Sequence, residues 1–473
     1  MKKLKLFKTL LIPSCGVLTL GTIAVVLTSC GSEDPDPEFV GITANANSTL
    51  TFVHEYVGDF PDLQYSTDGT SWNTYSEEIS ISQGQTLLLR GNNPEGWSHS
   101  SSTYSHLSIS GNVSISGNVM GLLDNGATSG EEGDITAIPC DYCFYDLFRN
   151  SKGITSVSDD FLPATVLKNN CYDGMFYECE SLIKLPHLPA TNLAESCYKY
   201  MFNSCSSLTA APELPAEILE AECYEYMFYQ CTQLTTAPNL LATTLAEACY
   251  GNMFYGCTQL TTAPKLPATT LATSCYDYMF SGCTSLIAAP ELLATTLIFG
   301  CYTYMFSGCT SLTQAPELPA TTLAEGCYEW MFNGCTSLTQ APNLPATNLD
   351  KDCYSNMFKR CTSLTQAPEL LPATTLATSC YRNMFYYCSS LTTAPELQAT
   401  SLANSCYWDM FNGCTSLNSI KIGYTGNYNS SYFSGWVDRV ANSGTFYYKG
   451  NDTLVNFGFP TGEGTNWIIN NNW

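Results

Sequence analysis

The sequence predicts an α/β repeat solenoid of about 11 coils of 26 residues, with a small N-terminal antiparallel β-domain and a C-terminal cap. Three observations predict it. The string Cys-Tyr-x-x-Met-Phe recurs with its first cysteine at 171, 197, 223, 249, 275, 301, 327, 353, 380 and 406, a constant step broken once, where Leu371 adds a residue. A second cysteine follows each first by eight, from Cys179 to Cys414. Leucines recur in the same register, so apolar columns run the length of the array.

One unit reads Cys327-Tyr328-Glu329-Trp330-Met331-Phe332-Asn333-Gly334-Cys335, followed by Leu338, Pro342, Leu344, Pro345 and Leu349. A degenerate copy, Cys143-Phe144-Tyr145-Asp146-Leu147-Phe148, has Ser151 at the second cysteine position. A unit this short cannot bury its own apolar side and must stack on its neighbours. Leu338, Leu344, Leu349, Cys353, Met357, Phe358 and Cys361, with their equivalents, are the expected core. Cys and Met at i and i+4 fit one face of a short helical turn. Glycines at 256, 282, 308, 334 and 413 suit a turn end with positive φ. Ser-Leu-Thr-x-Ala-Pro then favours a short strand that proline cuts off. Stacked strands about 4.8 Å apart give ten units a length on the order of 50 Å.

Composition narrows the function classes. The 473 residues are 45% hydrophobic, 12% aromatic and only 13% charged, which excludes a disordered chain. A net charge of -24 with no basic stripe argues against nucleic acid as a partner. Four histidines (His54, His99, His106, His187) and no nucleophile–base or carboxylate pairing point away from an enzyme, a cofactor or a metal centre. Of the 24 cysteines, the 22 other than Cys15 and Cys30 leave three readings open: small buried apolar thiols, disulfides between neighbouring coils, or, less compatibly with C-x7-C spacing, zinc. Cys140-Asp141-Tyr142-Cys143 is a lone C-x-x-C at the entrance of the array, suiting a capping disulfide, core packing or a redox pair.

Residues 1–30 read as an address. Lys2, Lys3, Lys5 and Lys8 precede a mainly apolar stretch from Leu10 to Leu27, and Leu27-Thr28-Ser29-Cys30 resembles the lipobox of bacterial lipoproteins. That resemblance implies lipidation at Cys30, which would anchor the chain to a membrane. Residues 31–39 form an acidic, proline-containing tether similar to the surface-export signal of Bacteroidetes lipoproteins, implying an outer-membrane lipoprotein exposed at the cell surface. Residues 40–138 alternate like strands, as in Thr49–Val53 and Thr86–Arg90, with Asp68-Gly69 as a hairpin turn, and read as a β-sandwich-like spacer. Trp72, Tyr75, Trp97 and Tyr104 there suit either core packing or a sugar platform. Acidic residues from Asp124 to Asp134 lack the spacing of a calcium loop. The array occupies 139–420. Residues 421–473 form the cap, with a helix and strand expected over Tyr432–Val440 and Gly444–Tyr448.

The array resembles the BspA-like (Treponema pallidum-type) leucine-rich repeats of bacterial surface proteins, whose units carry a C-x-x-L…A-F-x-x-C frame. Met305-Phe306 before Cys309 stands where Ala-Phe does. The resemblance covers roughly residues 140–420 and implies a leucine-rich-repeat-like solenoid and a non-catalytic role in adhesion to host matrix, mucus or other bacteria. A surface glycan-binding protein is the alternative. The third residue after each first cysteine is expected to be exposed. Tyr200, Tyr226, Tyr278, Tyr304 and Trp330 therefore form a candidate binding stripe, unless the rings simply stack between coils.

Overall fold

The computed structural model describes residues 39–54, 61–124 and 136–472, all within one compact unit, Pro35–Trp473. The apolar leader, Cys30, the tether up to residue 38 and the acidic loop 125–135 lie outside the described residues.

Coils stack at the expected period, with cysteine, methionine and phenylalanine columns buried throughout and most leucines with them, among them Leu338, Leu344, Cys353, Met357, Phe358 and Cys361; Leu349, expected in the core, is only partly buried, as are Leu193, Leu245 and Leu402. The α component of the expected fold is corrected. No α-helix lies between 136 and 420; the short element α1 (Ser430–Phe433) belongs to the cap. The architecture is a β-solenoid with few helices.

What replaces the helix follows from the hydrogen bonds. In the coil beginning at Cys275, the N–H groups of Cys275, Met279 and Cys283 donate to carbonyls three residues back, closing overlapping turns. The N–H groups of Tyr276, Tyr278, Phe280 and Gly282 donate forward to Cys301, Thr303, Met305 and Ser307 of the next coil, at 2.7–3.2 Å. Ser274, Tyr278 and Gly282 have φ of 50°, 54° and 74°. Positive φ at the third residue of an i→i+3 turn is the type II geometry. Such a ribbon sends two side chains in and two out, so its period is four. That matches Cys-Tyr-x-x-Met-Phe-x-x-Cys, and the tyrosine after each first cysteine is buried, where a buried column was not expected.

On the opposite side of the coil the strand is mostly a single parallel bridge, as at Thr262↔Ala288 and Ala288↔Gln314. The proline two residues on has no N–H to extend it. Only near the C-terminus do these bridges lengthen into a parallel sheet. Its strands, in order, are β10 (Leu370–Leu371), β11 (Thr393–Leu397), β12 (Ser419–Ile422), β13 (Ser443–Tyr447) and β14 (Asn466–Asn470). In the cap the expected Tyr432–Val440 helix is reduced to α1, whose N-cap Asn429 accepts from the Ser431 N–H at 2.9 Å; turns follow it. Phe433 and Trp436 lie against Tyr407 and Phe411, covering the last coil.

At the other end, β1 (Val40–Ala44), β3 (Gln64–Ser66), β4 (Asn73–Thr74), β6 (Thr86–Arg90) and β8 (Val113–Gly117) form one sheet. β2 (Ser48–His54), β5 (Ile79–Ile81) and β7 (Ser105–Ser110) form another. Asp68-Gly69 turns the chain between β3 and β4, with Gly69 at φ 70° and Asp68 Oδ1 accepting from Thr70 and Ser71. This domain is more than a spacer. β8 pairs in parallel with β9 (Ile154–Val157) of the first coil, and the Leu107 N–H of β7 donates to the Leu147 carbonyl. Ser151 donates to the Leu107 carbonyl at 2.6 Å and accepts from the Ile109 N–H. The serine stands where later coils place a thiol because its partner is the β-domain. The β-domain is the N-terminal cap.

A candidate interaction surface on the turn ribbon

Outward pairs of the ribbon sit two and three, then six and seven, residues after each first cysteine. Tyr200, Tyr226, Tyr278, Tyr304 and Trp330 occupy the third position, all with φ of 54–58°. The expectation that they are exposed on a helical turn is corrected. They are half-buried, because the ribbon stacks each against its neighbour. Tyr200 lies on Tyr226 at 4.7 Å, Tyr278 on Tyr304 at 4.2 Å and Tyr304 on Trp330 at 5.3 Å, with interplanar angles of 14° or less.

Asn252 interrupts that column, but the rings continue around it. Tyr226 meets Tyr229, Tyr229 stacks on Tyr255 at 4.7 Å, and Tyr255 touches Tyr278. Tyr177 joins at the near end. One chain of ring contacts thus runs from Tyr177 to Trp330. The sixth-position tyrosines are the part that reading the third position alone misses; Tyr229 lies in the coil before Asn252 and Tyr255 in the coil of Asn252 itself. Cations lie along it and at both ends: Arg149 Cζ is 4.5 Å from the Tyr177 ring centre. Lys199 Nζ is 5.5 Å from the Tyr200 ring centre, and Lys359 Nζ is 4.4 Å from that of Trp330. In the β-domain, Trp97 is buried with its N–H donating to the Ser105 carbonyl, and Arg90 covers Trp72 at 4.1 Å. Tyr75 accepts from the Phe52 N–H, and Tyr104 packs on Tyr145. These four are packing residues.

The BspA type leucine rich repeat region matches in six copies over residues 147–287, 224–365 and 298–395, more than half of the chain. The chain belongs to the BspA-type leucine-rich repeat family. Among solved structures, a leucine-rich repeat protein from Bacteroides ovatus ATCC 8483 is 16% identical over 69% of this chain and 86% of that one, with a TM-score of 0.32. A TLR13–ssRNA13 complex is 14% identical over 66% of this chain and 45% of that one, with a TM-score of 0.24. At these TM-scores neither adds to the family match. No curated protein matches significantly.

The cysteines of this BspA-type array are free thiols wherever they are described. Each second-column thiol donates to the phenylalanine carbonyl of the preceding coil, as Cys309 does to Phe280 at 3.1 Å. Burial pushes Cys231, Cys283 and Cys361 up to about 12, so they stay protonated and unreactive at neutral pH. Among the described residues, no three His, Cys, Asp or Glu side chains converge as metal ligands.

Carboxyls beside the ladder are strongly perturbed. Burial, then Asp146, raises Asp173 to about 8 against an offset from Lys199, and burial raises Asp146 itself to about 6. Between 3.8 and about 8 the folded chain holds a proton on Asp173 that the unfolded chain releases. Its contribution therefore favours folding at low pH and is lost as pH climbs towards 8. Asp173→Asn mimics the protonated form. It is expected to raise stability at pH 8 by on the order of 2 kcal/mol and to leave it unchanged at pH 4. Urea titrations at both pH values check this; equal shifts at both would refute it.

Proposed function

We propose that this chain is a cell-surface-anchored adhesive protein, without catalysis, that grips protein partners on host matrix, mucus or neighbouring bacteria through the ladder from Tyr177 to Trp330. Leucine-rich repeat proteins generally bind other proteins or ligands. The observation that carries the assignment to this surface is the ladder's continuity: half-buried rings in seven successive coils, each touching the next by stacked, tilted or edge-on contact. Rigid aromatic anchors are what protein interfaces concentrate their binding energy on.

Surface glycan capture is the second reading. A sugar platform needs open ring faces, whereas Tyr200 and Tyr226, and Tyr278, Tyr304 and Trp330, turn their faces to one another along the array, and cations lie over Tyr177, Tyr200 and Trp330. Closed ring faces favour a polypeptide partner over a sugar. The double variant Tyr304→Ala/Trp330→Ala is expected to lose binding to whole cells or immobilised matrix proteins at least tenfold, since a truncated aromatic hot spot costs about 2 kcal/mol or more. Unaltered binding by the folded variant would rule the ladder out; retained cell binding with lost binding to a soluble glycan panel would favour capture of sugars.

Anchoring rests on the leader sequence and Cys30. Cys30→Ala is expected to abolish incorporation of labelled fatty acid and release the chain from the membrane fraction. Continued labelling would refute the assignment.

A further inference from the structure

Among the described cysteines, Cys140 differs from the rest in two ways. It is half-buried where the others are buried, and it belongs to neither repeat column. Its place, three residues before the first cysteine, is taken by Lys168, Ala194, Glu220 and Ala246 in the next four coils, and no later coil has cysteine there. A second sulfur, that of Cys143, lies three residues on in the same turn.

The turn brings the two sulfurs within bonding reach. Tyr142, at φ 57°, stands where Asn170, at φ 55°, stands in the next coil. There the turn is closed by the Cys171 N–H, which donates to the Lys168 carbonyl at 3.3 Å. Cys140 and Cys143 therefore take the first and last places of a type II turn, whose Cα atoms lie within about 7 Å, the span a disulfide bridges. The Cys143 thiol hydrogen-bonds the Cys140 sulfur, which holds Cys140 below the ordinary thiol range against burial, Asp141 and Glu95. Burial, with that hydrogen bond, keeps Cys143 itself well above it. The β-domain closes over the pair with backbone alone. Gly96, at φ 110°, passes so near that a Cβ there would collide with Cys140 Sγ, and the Trp97 N–H donates to the Cys143 carbonyl at 2.9 Å.

We propose that Cys140 and Cys143 are a thiol–disulfide exchange site whose substrate is a disulfide of low molecular weight, with Cys140 entering and Cys143 resolving. The Cys140 thiolate attacks one substrate sulfur, and the substrate S–S bond breaks. The first thiolate released takes up the proton that Cys140 gave up. Cys143 then attacks Cys140 Sγ, which breaks the mixed disulfide, and its proton goes to the second thiolate released. Two protein thiols are oxidised to one disulfide, and one substrate disulfide is reduced to two thiols. A small substrate suits a sulfur half-covered by the Gly96 segment. The repeat cysteines do not compete, because burial holds thiols such as Cys231 and Cys283 in the unreactive protonated form. Exchange at this turn does not depend on the aromatic ladder or on adhesion.

The test uses the full chain in detergent, reduced and then freed of reductant. Iodoacetamide and oxidised glutathione are the probes, and peptide mass spectrometry is the readout. In the folded chain Cys140 is expected to alkylate on the order of tenfold faster than Cys231 or Cys283. Oxidised glutathione is expected to leave the wild type with a Cys140–Cys143 disulfide and no retained glutathione. Cys143→Ser is expected to stop at one glutathione on Cys140, and Cys140→Ser to gain neither the disulfide nor the adduct. Cys140 alkylating no faster than Cys283, glutathione persisting on wild-type Cys140, or a disulfide from Cys143 to Cys171 would each overturn the proposal. Melting temperatures check that the variants fold; if Cys143→Ser does not, the wild-type product alone decides.

Discussion

Phe280→Ala, in the middle of the array, is expected to destabilise the chain by about 3–5 kcal/mol and to divide its unfolding into two steps. Phe280 is fully buried, and its ring lies 5.7 Å from both Phe254 and Phe306. The cavity left by truncation opens on both sides, and the ladder of N–H···O bonds cannot collapse to fill it, because its spacing is fixed by every other coil. In a stacked array each coil contacts only its neighbours, so a central lesion weakens two interfaces and uncouples the blocks on either side. Urea denaturation followed by circular dichroism, with hydrogen exchange resolved by coil, measures both effects. Ile287→Ala, in the same coil but 56% exposed, is expected to change stability by less than about 0.5 kcal/mol. A Phe280 variant that behaves like the Ile287 variant would show that the phenylalanine column does not hold the coils together.

How much of this was legible in the sequence depends on the range of the interaction. The coil period, the leucine, methionine, phenylalanine and cysteine columns, and the positive φ at Gly282 and its equivalents follow from local repetition, and the structure has them. The spacing of Cys275 and Met279 misled because i, i+4 fits both a helix and a four-residue turn ribbon. The N–H groups decide between them: those of Tyr276, Tyr278 and Phe280 donate to the next coil, whereas a helix would spend them on its own carbonyls four residues back. Burial of the tyrosine hydroxyls hid this reading, since Tyr172, Tyr224, Tyr276, Tyr381 and Tyr407 leave them without hydrogen-bond partners. Long-range facts were not legible at all. Nothing near Ser151 announces that it bonds β7, and nothing near Asn252 announces that Tyr229 and Tyr255 carry the ring contacts past it. The aromatic stripe was visible as five residues, whereas its continuity depends on two columns meeting in space.

Trp436→Ala is expected to cost a similar 3–5 kcal/mol yet to act differently, and the difference follows from its place at the end of the stack. Trp436 is buried among Tyr407, Phe411, Phe433, Phe446, Phe457 and Phe459, and its indole N–H donates to the Phe457 carbonyl at 2.8 Å. Truncation removes the ring that lies on the final coil and leaves a buried carbonyl unpaired. Only one interface is lost, so the damage does not divide the array. It frays it from the last coil inwards, exposing the Tyr407 and Phe411 rings to solvent while coils near Cys275 keep their protection. Limited proteolysis is expected to remove the C-terminal segment of the variant at temperatures where the remaining array is intact, and hydrogen exchange to rise steeply only beyond about Cys380. A single cooperative transition shifted as a whole would mean that coupling runs through the entire stack. In that case the central lesion could not produce two steps either, so the two variants test the same nearest-neighbour account from opposite ends.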